Sequence, residues 1–187
     1  MNQDSKWMSY AIDLAKQAGN SGEVPVGAVV VQNGVVIGQG SNAPICKHDP
    51  TAHAELIALR EAANTLGNYR LENCTLYVTL EPCTMCAGAI LNSRISRLVY
   101  GAPEPKTGAA GSVHNVFDIA AINHQTKVEG GLMADASSVL LQQFFKSKRN
   151  NPNPLREDAL RPQEEWFEGM TDYPWPAHYM SDLKALN

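Results

Sequence analysis

The sequence predicts an α/β fold in which helices pack against a sheet that begins with an antiparallel hairpin. Segments of helical and of strand periodicity alternate along the chain, and Asn33-Gly34 lies between two β-branched runs. The chain has 187 residues, 44% of them hydrophobic, and contains no internal repeat. A chain of this length can bury a core without disulfide bonds.

The first predicted helix covers residues 4–18, where apolar side chains recur at helical spacing until Gly19-Asn20. Residues 24–31 are rich in β-branched side chains and predict a strand. The Asn33-Gly34 turn joins it to a second strand over residues 35–37. An antiparallel hairpin therefore follows the first helix.

A polar stretch over residues 41–50 leads into the second helix, which we expect over residues 52–66. Thr51 is a good N-cap because its hydroxyl can accept a backbone N–H, and Gly67 is a typical helix end. The β-branched and apolar run at 75–80 then predicts a buried strand.

Pro82 is well placed to open the third helix, which runs to about residue 92. A short strand over residues 98–100 precedes a loop rich in glycine, alanine and proline over residues 101–112. Residues 113–125 give an ambiguous pattern. The last two elements are a strand over residues 126–130 and a long amphipathic helix over residues 134–149.

The breaker cluster Asn151-Pro152-Asn153-Pro154 divides the chain into a domain over residues 1–150 and an extension over residues 151–187. The formal net charge of −4 lies wholly after residue 149, so a generally basic surface for nucleic acid is excluded, although a local basic patch is not. The extension either packs its aromatic side chains on the domain or binds a partner. In the first case its acidity would weaken non-specific RNA binding.

No segment approaches the roughly 18 consecutive apolar residues that a membrane span needs. The N-terminus lacks the pattern of a secretory signal, so we expect a cytoplasmic protein without membrane association. The four cysteines are too few for a disulfide scaffold, and two of them form a Cys-x-x-Cys pair. In a cytoplasmic chain this spacing indicates metal or redox chemistry.

Chemistry is concentrated at two predicted helix starts, which carry His53, Glu55, Cys83 and Cys86. One imidazole and two thiolates suit zinc, and three protein ligands leave the fourth tetrahedral position for water. Glu55 can take a proton from that water and return it to a substrate. A histidine, a glutamate two residues later and a following Pro-Cys-x-x-Cys form the signature of zinc deaminases.

Two other interpretations of these residues remain open. A closed structural zinc site would need Cys46 or Cys74 as its fourth ligand, although neither shares a motif spacing with the other donors. A redox Cys-x-x-Cys pair would leave the histidine and glutamate without a role. His114, His124 and His178 have no ligand spacing and indicate surface or hydrogen-bonded histidines.

Beyond the zinc motif, several further segments resemble the bacterial tRNA-specific adenosine deaminases, over roughly residues 4–149. These segments are residues 23–28, Asn42, and residues 48–55, 68–71, 76–89, 93–95 and 106–112. The resemblance implies a three-layer α/β/α sandwich with a five-stranded mixed sheet, a homodimer and one Zn²⁺ per subunit. It also implies hydrolytic deamination of the wobble adenosine of an arginine tRNA to inosine.

The same resemblance implies the role of each site residue. His53, Cys83 and Cys86 hold zinc, and Glu55 is the catalytic proton shuttle. Asn42 and the main chain of Ala54 bind the adenine, which must be flipped out of the anticodon loop.

Contacts to the anticodon stem-loop are expected from Glu104, Lys106, Phe145, Lys148 and Arg149. Only one of the neighbouring residues Phe144 and Phe145 can face the core of the last helix, which leaves the other to stack. Pro103 and Glu104 depart from the family pattern, which more often has a basic residue and an aspartate there. Without the resemblance, the basic cluster at the end of the last helix would indicate a solvated helix end.

Two rival functions keep the same fold. The first is deamination of a free base or nucleoside, such as guanine or cytosine. The second is a non-catalytic subunit that binds zinc or tRNA, against which Glu55 argues because such a subunit needs no proton carrier.

Overall fold

The computed structural model describes residues 3–149, so the predicted extension over residues 151–187 and the alternatives for its aromatic side chains lie outside the described residues. The helices and strands are α1 Gln3–Asn20, β1 Gly27–Gln32, β2 Val35–Ser41, α2 Pro44–Lys47, α3 Ala54–Leu66, β3 Cys74–Leu80, α4 Thr84–Asn92, β4 Arg97–Ala102, β5 Lys127–Glu129 and α5 Ala134–Arg149. The predicted α/β class is confirmed.

The five strands form one mixed sheet in the order β2-β1-β3-β4-β5. β1 pairs antiparallel with β2 and β3, whereas β3, β4 and β5 run parallel. The five-stranded mixed sheet is therefore confirmed. A parallel pair needs a crossover connection, which α4 provides between β3 and β4.

Helices cover both faces of the sheet and form two cores. On one face, Trp7 and Met8 of α1 pack against Val29 and Tyr77 of the central strands. On the other face, buried residues of α3 and α4 such as Ile90 pack against the opposite side of the same strands. The three layers of the predicted sandwich are present.

Two glycines of β2 let α3 lie very close to the sheet. A Cβ atom at Gly38 would be 2.3 Å from the Ala58 carbonyl oxygen, and one at Gly40 would be 2.3 Å from that of Ala54. Neither position has room for a side chain, so the beginning of α3 is placed directly by the β2 backbone.

The structure corrects two predicted helix starts. α3 begins at Ala54 with His53 as its N-cap, because Thr51 is instead held in a turn by Asp49, which accepts its N–H at 2.8 Å and its hydroxyl at 2.7 Å. α4 begins at Thr84 with Cys83 as its N-cap, two residues later than the prediction from Pro82.

Other boundaries differ as well. The hairpin is shifted, because β1 begins after Pro25 and β2 continues to Ser41. The polar stretch contains the short helix α2, which the sequence did not indicate, and residues 113–125 form neither helix nor strand. The last strand and helix lie where they were predicted. Within the described residues, no helix combines the length and apolarity needed to span a bilayer.

Candidate active site

Three potential metal donors meet where α3 and α4 begin. His53 is the N-cap of α3 and Cys83 the N-cap of α4, and neither side chain makes a capping hydrogen bond. Cys86 lies in the first turn of α4 and is fully buried. The two side chains that would ordinarily cap these helices are thus directed to a common point instead.

The donor atoms are spaced as a tetrahedral ion requires. Nδ1 of His53 lies 3.5 Å from Sγ of Cys86 and 3.8 Å from Sγ of Cys83. All three donor atoms lie within 4.8 Å of one another. Tetrahedral bonds of about 2.3 Å to sulfur and 2.0–2.1 Å to nitrogen would separate the sulfur and nitrogen atoms by roughly 3.5 Å. Both sulfur–nitrogen distances are therefore close to those that such an ion requires.

The electrostatics of this group favour a thiolate. A hydrogen bond from Cys86, together with one from His53, lowers the pKa of Cys83 to about 4. The same hydrogen bond and burial raise the pKa of Cys86, and the bond to Cys83 raises the pKa of His53. The Cys83 thiolate thus places one negative charge where a cation would bind.

Glu55 lies in the first turn of α3, two residues after His53, and only 4% of its surface is exposed. Burial raises the pKa of its carboxyl group above the usual value of 4.5, and the Cys86 thiol is within hydrogen-bonding reach. A buried carboxyl group beside the donor cluster can hold or release a proton, which is the property that the sequence assigned to it.

The two cysteines considered as a fourth ligand lie apart from the donor group. Cys46 is exposed and its thiol faces the carbonyl oxygen of Ala43 at 3.6 Å, while the buried Cys74 faces that of Glu72 at 3.6 Å. Among the described residues, only His53, Cys83 and Cys86 form a group able to hold a metal ion. The described structure gives no support to a closed site.

The predicted base-binding residues Asn42 and Ala54 lie beside this group and contact each other. Oδ1 of Asn42 accepts the backbone N–H of Ala54 at 2.9 Å, which caps the first residue of α3. The loop after Asn42 is fixed by the buried carboxylate of Glu23, which accepts the N–H groups of Ile45 at 3.2 Å and Cys46 at 2.8 Å. One wall of the site is therefore rigidly held.

Glu104 and Lys106 lie on a loop that passes beside Cys83. The backbone of Gly108 forms a bridge with that of Cys83, and Ala109 donates its N–H to the Pro82 carbonyl oxygen at 2.9 Å. Lys106 is exposed and donates its backbone N–H to the Glu104 carboxylate at 2.9 Å. The structure thus brings this loop to the donor cluster, while contact of Glu104 and Lys106 with a substrate stays a prediction.

The remaining predicted contacts lie at the end of α5. The side chain of Phe145 is 46% exposed and meets Phe144 edge-on, with the ring centroids 5.5 Å apart. Lys148 is exposed, and Arg149 is the last residue of the helix. Whether these residues contact a substrate stays a prediction.

The side chains of two other histidines each make a hydrogen bond. His114 bonds through Nε2 to the Thr84 hydroxyl at 3.0 Å, and His124 bonds through Nε2 to the Ile95 carbonyl oxygen at 2.8 Å. Both agree with the interpretation of hydrogen-bonded histidines, while His178 lies outside the described residues.

Sequence reasoning missed Glu81, which is buried directly before Pro82 and Cys83. Hydrogen bonds from Ser112 and from three backbone N–H groups lower its pKa despite the opposing effect of burial. The available signal was an acidic residue at the end of an apolar strand, where an unpaired charge would be costly.

An α/β/α sandwich with histidine, two cysteines and a buried glutamate at paired helix starts defines the class of deaminases. The MafB19-like deaminase family matches residues 2–149 of the chain. The tRNA-specific adenosine deaminase of Haemophilus influenzae is 55% identical to this chain. The matched region covers 78% of this chain and 85% of that protein. The tRNA-specific adenosine deaminase of Bacillus subtilis is 42% identical, and the matched region covers 84% of this chain and 98% of that protein.

Solved structures agree with these relatives. A tRNA:A34 deaminase, studied for A-to-I editing at the wobble position, has a TM-score of 0.71 and 45% identity, covering 73% of this chain and 99% of that chain. A guanine deaminase from Nitrosomonas europaea has a TM-score of 0.66 at 26% identity. The matched region covers 75% of this chain and 83% of that chain. The chain is a deaminase and belongs to the tRNA-specific adenosine deaminase family.

Proposed function

We propose that the protein hydrolyses adenosine to inosine at the wobble position of a tRNA anticodon, with an arginine tRNA as the expected substrate. The observation that carries this proposal is the meeting of His53, Cys83 and Cys86 beside the buried Glu55. The relatives named for tRNA adenosine are far more similar to this chain than the guanine deaminase is. A tRNA substrate also makes the cytoplasm the expected location.

His53, Cys83 and Cys86 would hold one Zn²⁺ per subunit, since one imidazole and two thiolates form a donor set that zinc prefers. When bound, zinc supplies a Lewis acid that activates water for attack on carbon 6 of adenine. Exchange of the amino group for oxygen also needs a group that takes a proton from water and gives one to the departing ammonia. Glu55 fills that role from the first turn of α3.

Asn42 and Ala54 would orient the adenine. The bond to Ala54 occupies Oδ1 of Asn42, so the Nδ2 amide remains as a donor for a ring nitrogen of the purine. A stacked base cannot reach a donor cluster at this depth, so the target nucleotide is flipped out of the anticodon loop.

The anticodon stem-loop would be held by the loop that carries Glu104 and Lys106 and by the end of α5. Lys106, Lys148 and Arg149 supply positive charge for phosphates, and Phe145 offers a ring for stacking. Basic residues at these few positions are consistent with a core domain that is neutral overall. In this proposal residues 1–150 form the deaminase domain, and residues 151–187 are a separate extension.

We further propose that the enzyme is a homodimer formed through α3 and α4. An apolar groove between these helices is lined by Leu59, Ala63 and Ala89, and Tyr69 beside it is 65% exposed. A second copy of the chain would bury this surface. Sedimentation velocity should give the mass of a dimer for the wild type and a shift toward monomer for Tyr69→Asp.

The decisive experiment measures inosine in an anticodon stem-loop of arginine tRNA incubated with zinc-loaded protein, beside free guanine and cytosine. Glu55→Gln should reduce turnover by about 10²–10⁴-fold while zinc content stays unchanged. Glu61→Gln is the matched control, because Glu61 lies on the same helix but is exposed and bonds to the β2 backbone.

Inosine formation that is lost only in Glu55→Gln supports the proposal. Turnover of a free base without inosine would replace the substrate and keep the chemistry. Zinc binding without any turnover would indicate the non-catalytic subunit, and full activity of Glu55→Gln would remove Glu55 from the mechanism.

A further inference from the structure

Glu81 is a buried carboxylate surrounded by donors from a single loop, residues 104–112. Only 2% of its surface is exposed. Oε2 accepts the backbone N–H of Glu104 at 2.9 Å, and Oε1 accepts those of Ala110 at 2.9 Å and Ser112 at 3.0 Å. The Ser112 hydroxyl also donates to Oε2. Both carboxylate oxygens are thus committed to this loop.

The loop is shaped around this side chain. A Cβ atom at Gly108 would lie 2.5 Å from Cδ of Glu81 and 2.6 Å from Oε2, so the loop passes against the carboxylate at a position where only glycine fits. Residues 104–112 form no helix or named strand. Hydrogen bonds to Glu81 therefore fix this loop together with the backbone pairing of Gly108 and Ala109 with Cys83 and Pro82.

The position of Glu81 in the chain joins the two halves of the site. It follows β3, donates its own N–H to the Ala102 carbonyl oxygen at 2.8 Å, and is followed by Pro82 and the metal donor Cys83. The loop that it holds carries Lys106, which is exposed beside the donor cluster. A displacement of this side chain would therefore move the loop relative to the reacting base.

We propose that Glu81 is a positioning residue for RNA binding, which fixes the loop of Glu104 and Lys106 at the distance from Cys83 that the anticodon requires. This inference rests on the proposed function. Glu81 acts through the loop and contacts neither the base nor the phosphates itself.

The chemistry of the carboxylate makes the inference testable with a single atom change. An ionised carboxylate only accepts hydrogen bonds, whereas the amide of glutamine presents two N–H donors at one end. In Glu81→Gln the NH₂ end of the side chain would therefore face backbone N–H groups from which it cannot accept hydrogen bonds. The loop should loosen, while the fold of the sheet and the donor cluster are retained.

The test compares Glu81→Gln with wild type on the anticodon stem-loop, with zinc content and thermal unfolding measured in parallel. We expect KM to rise about tenfold, which corresponds to about 1.4 kcal/mol, and kcat to change less than about twofold. Ser112→Ala removes one donor on the loop side, the hydroxyl, and keeps the backbone N–H, so it should raise KM by a smaller factor.

A double-mutant cycle with Lys106→Ala identifies the route of the effect. If Glu81 acts by placing Lys106, the two substitutions together should raise KM by much less than the product of their separate factors. If Glu81→Gln loses kcat and zinc content to the same extent, Glu81 instead supports the donor Cys83. If the KM factors of the two substitutions simply multiply, Glu81 does not act through Lys106. Either result overturns the proposal.

Hydrogen–deuterium exchange separates this inference from the proposed function, because it needs no substrate. The amides of Glu104, Ala110 and Ser112 should exchange slowly in the wild type and at least about tenfold faster in Glu81→Gln. Fast exchange in Glu81→Gln, together with a wild type that is inactive on RNA, would support Glu81 as the anchor of the loop and refute the proposed substrate. Unchanged exchange would refute the anchor whatever the activity.

Discussion

Replacement of Gly40 by alanine tests whether the β2 backbone positions the catalytic helix. A Cβ atom at this position would lie 2.3 Å from the Ala54 carbonyl oxygen, 2.8 Å from the Ala58 nitrogen and 2.9 Å from the Ile57 Cβ. Ordinary contact begins at 3.4 Å. The nearest obstacle is backbone, so α3 must move away from the sheet by about 1 Å.

The displacement falls on residues proposed to carry the chemistry, because Ala54 stands between His53 and Glu55. A misplacement of about 1 Å at a reacting group can reduce turnover by about 10²-fold, which corresponds to roughly 2.7 kcal/mol of transition-state stabilisation. Overpacking should also lower the free energy of unfolding by about 1–3 kcal/mol. We therefore expect a stable but nearly inactive protein.

Gly38→Ala is the matched comparison, because its Cβ atom would lie 2.3 Å from the Ala58 carbonyl oxygen, one turn further along α3. It should destabilise the protein as much as Gly40→Ala but reduce turnover less. Gly19→Ala should be neutral or slightly stabilising, since its Cβ would meet Pro25 at an ordinary 3.4 Å. Urea unfolding and single-turnover inosine formation measure the two effects, and equal turnover in Gly38→Ala and Gly40→Ala would refute the reasoning.

Two further predictions concern the ion pairs of Arg97 and the binding of metal. Arg97 bonds Asp4 at 2.9 Å and Glu129 at 2.6 Å, and hydrogen bonds from Arg97 lower the pKa of both carboxyl groups to about 2. Because these pKa values are depressed, the stabilisation is complete above pH 4.5 and lost as the pH falls toward 2. Arg97→Ala should therefore lower the free energy of unfolding by about 1–2 kcal/mol at pH 7. Urea titrations at pH 4 and 3 should show a progressively smaller loss. A difference between variant and wild type that stays constant with pH would contradict this. Removal of metal with a chelator should lower Tm by several degrees and re-addition of zinc should restore it, whereas an unchanged melting curve would contradict the donor group as a metal site.

The sequence predicted most of the fold because its signals are local. The Asn33-Gly34 turn, the helical periodicity of α5 and the glycine after α3 each depend on a few neighbouring residues. The role of Glu81 was not predictable in this way, because its partners lie between 23 and 31 residues further along the chain. A buried acid in a sequence shows that donors must exist, but only the folded chain shows where they come from.

The three residues named from the sequence do meet in the structure, but the starts of the helices that hold them were misplaced. Thr51 and Pro82 were expected to begin α3 and α4, but the N-caps are His53 and Cys83. Histidine and cysteine are poor caps, so propensity favours the neighbouring residues, while the site needs imidazole and thiolate at the helix ends. At α3 the lost capping oxygen is supplied from elsewhere, because Asn42 accepts the N–H of Ala54 at 2.9 Å. The residue proposed to bind adenine therefore also completes the helix that carries Glu55, and the two misplaced helix starts fall where local capping preference gives way to the arrangement of the proposed active site.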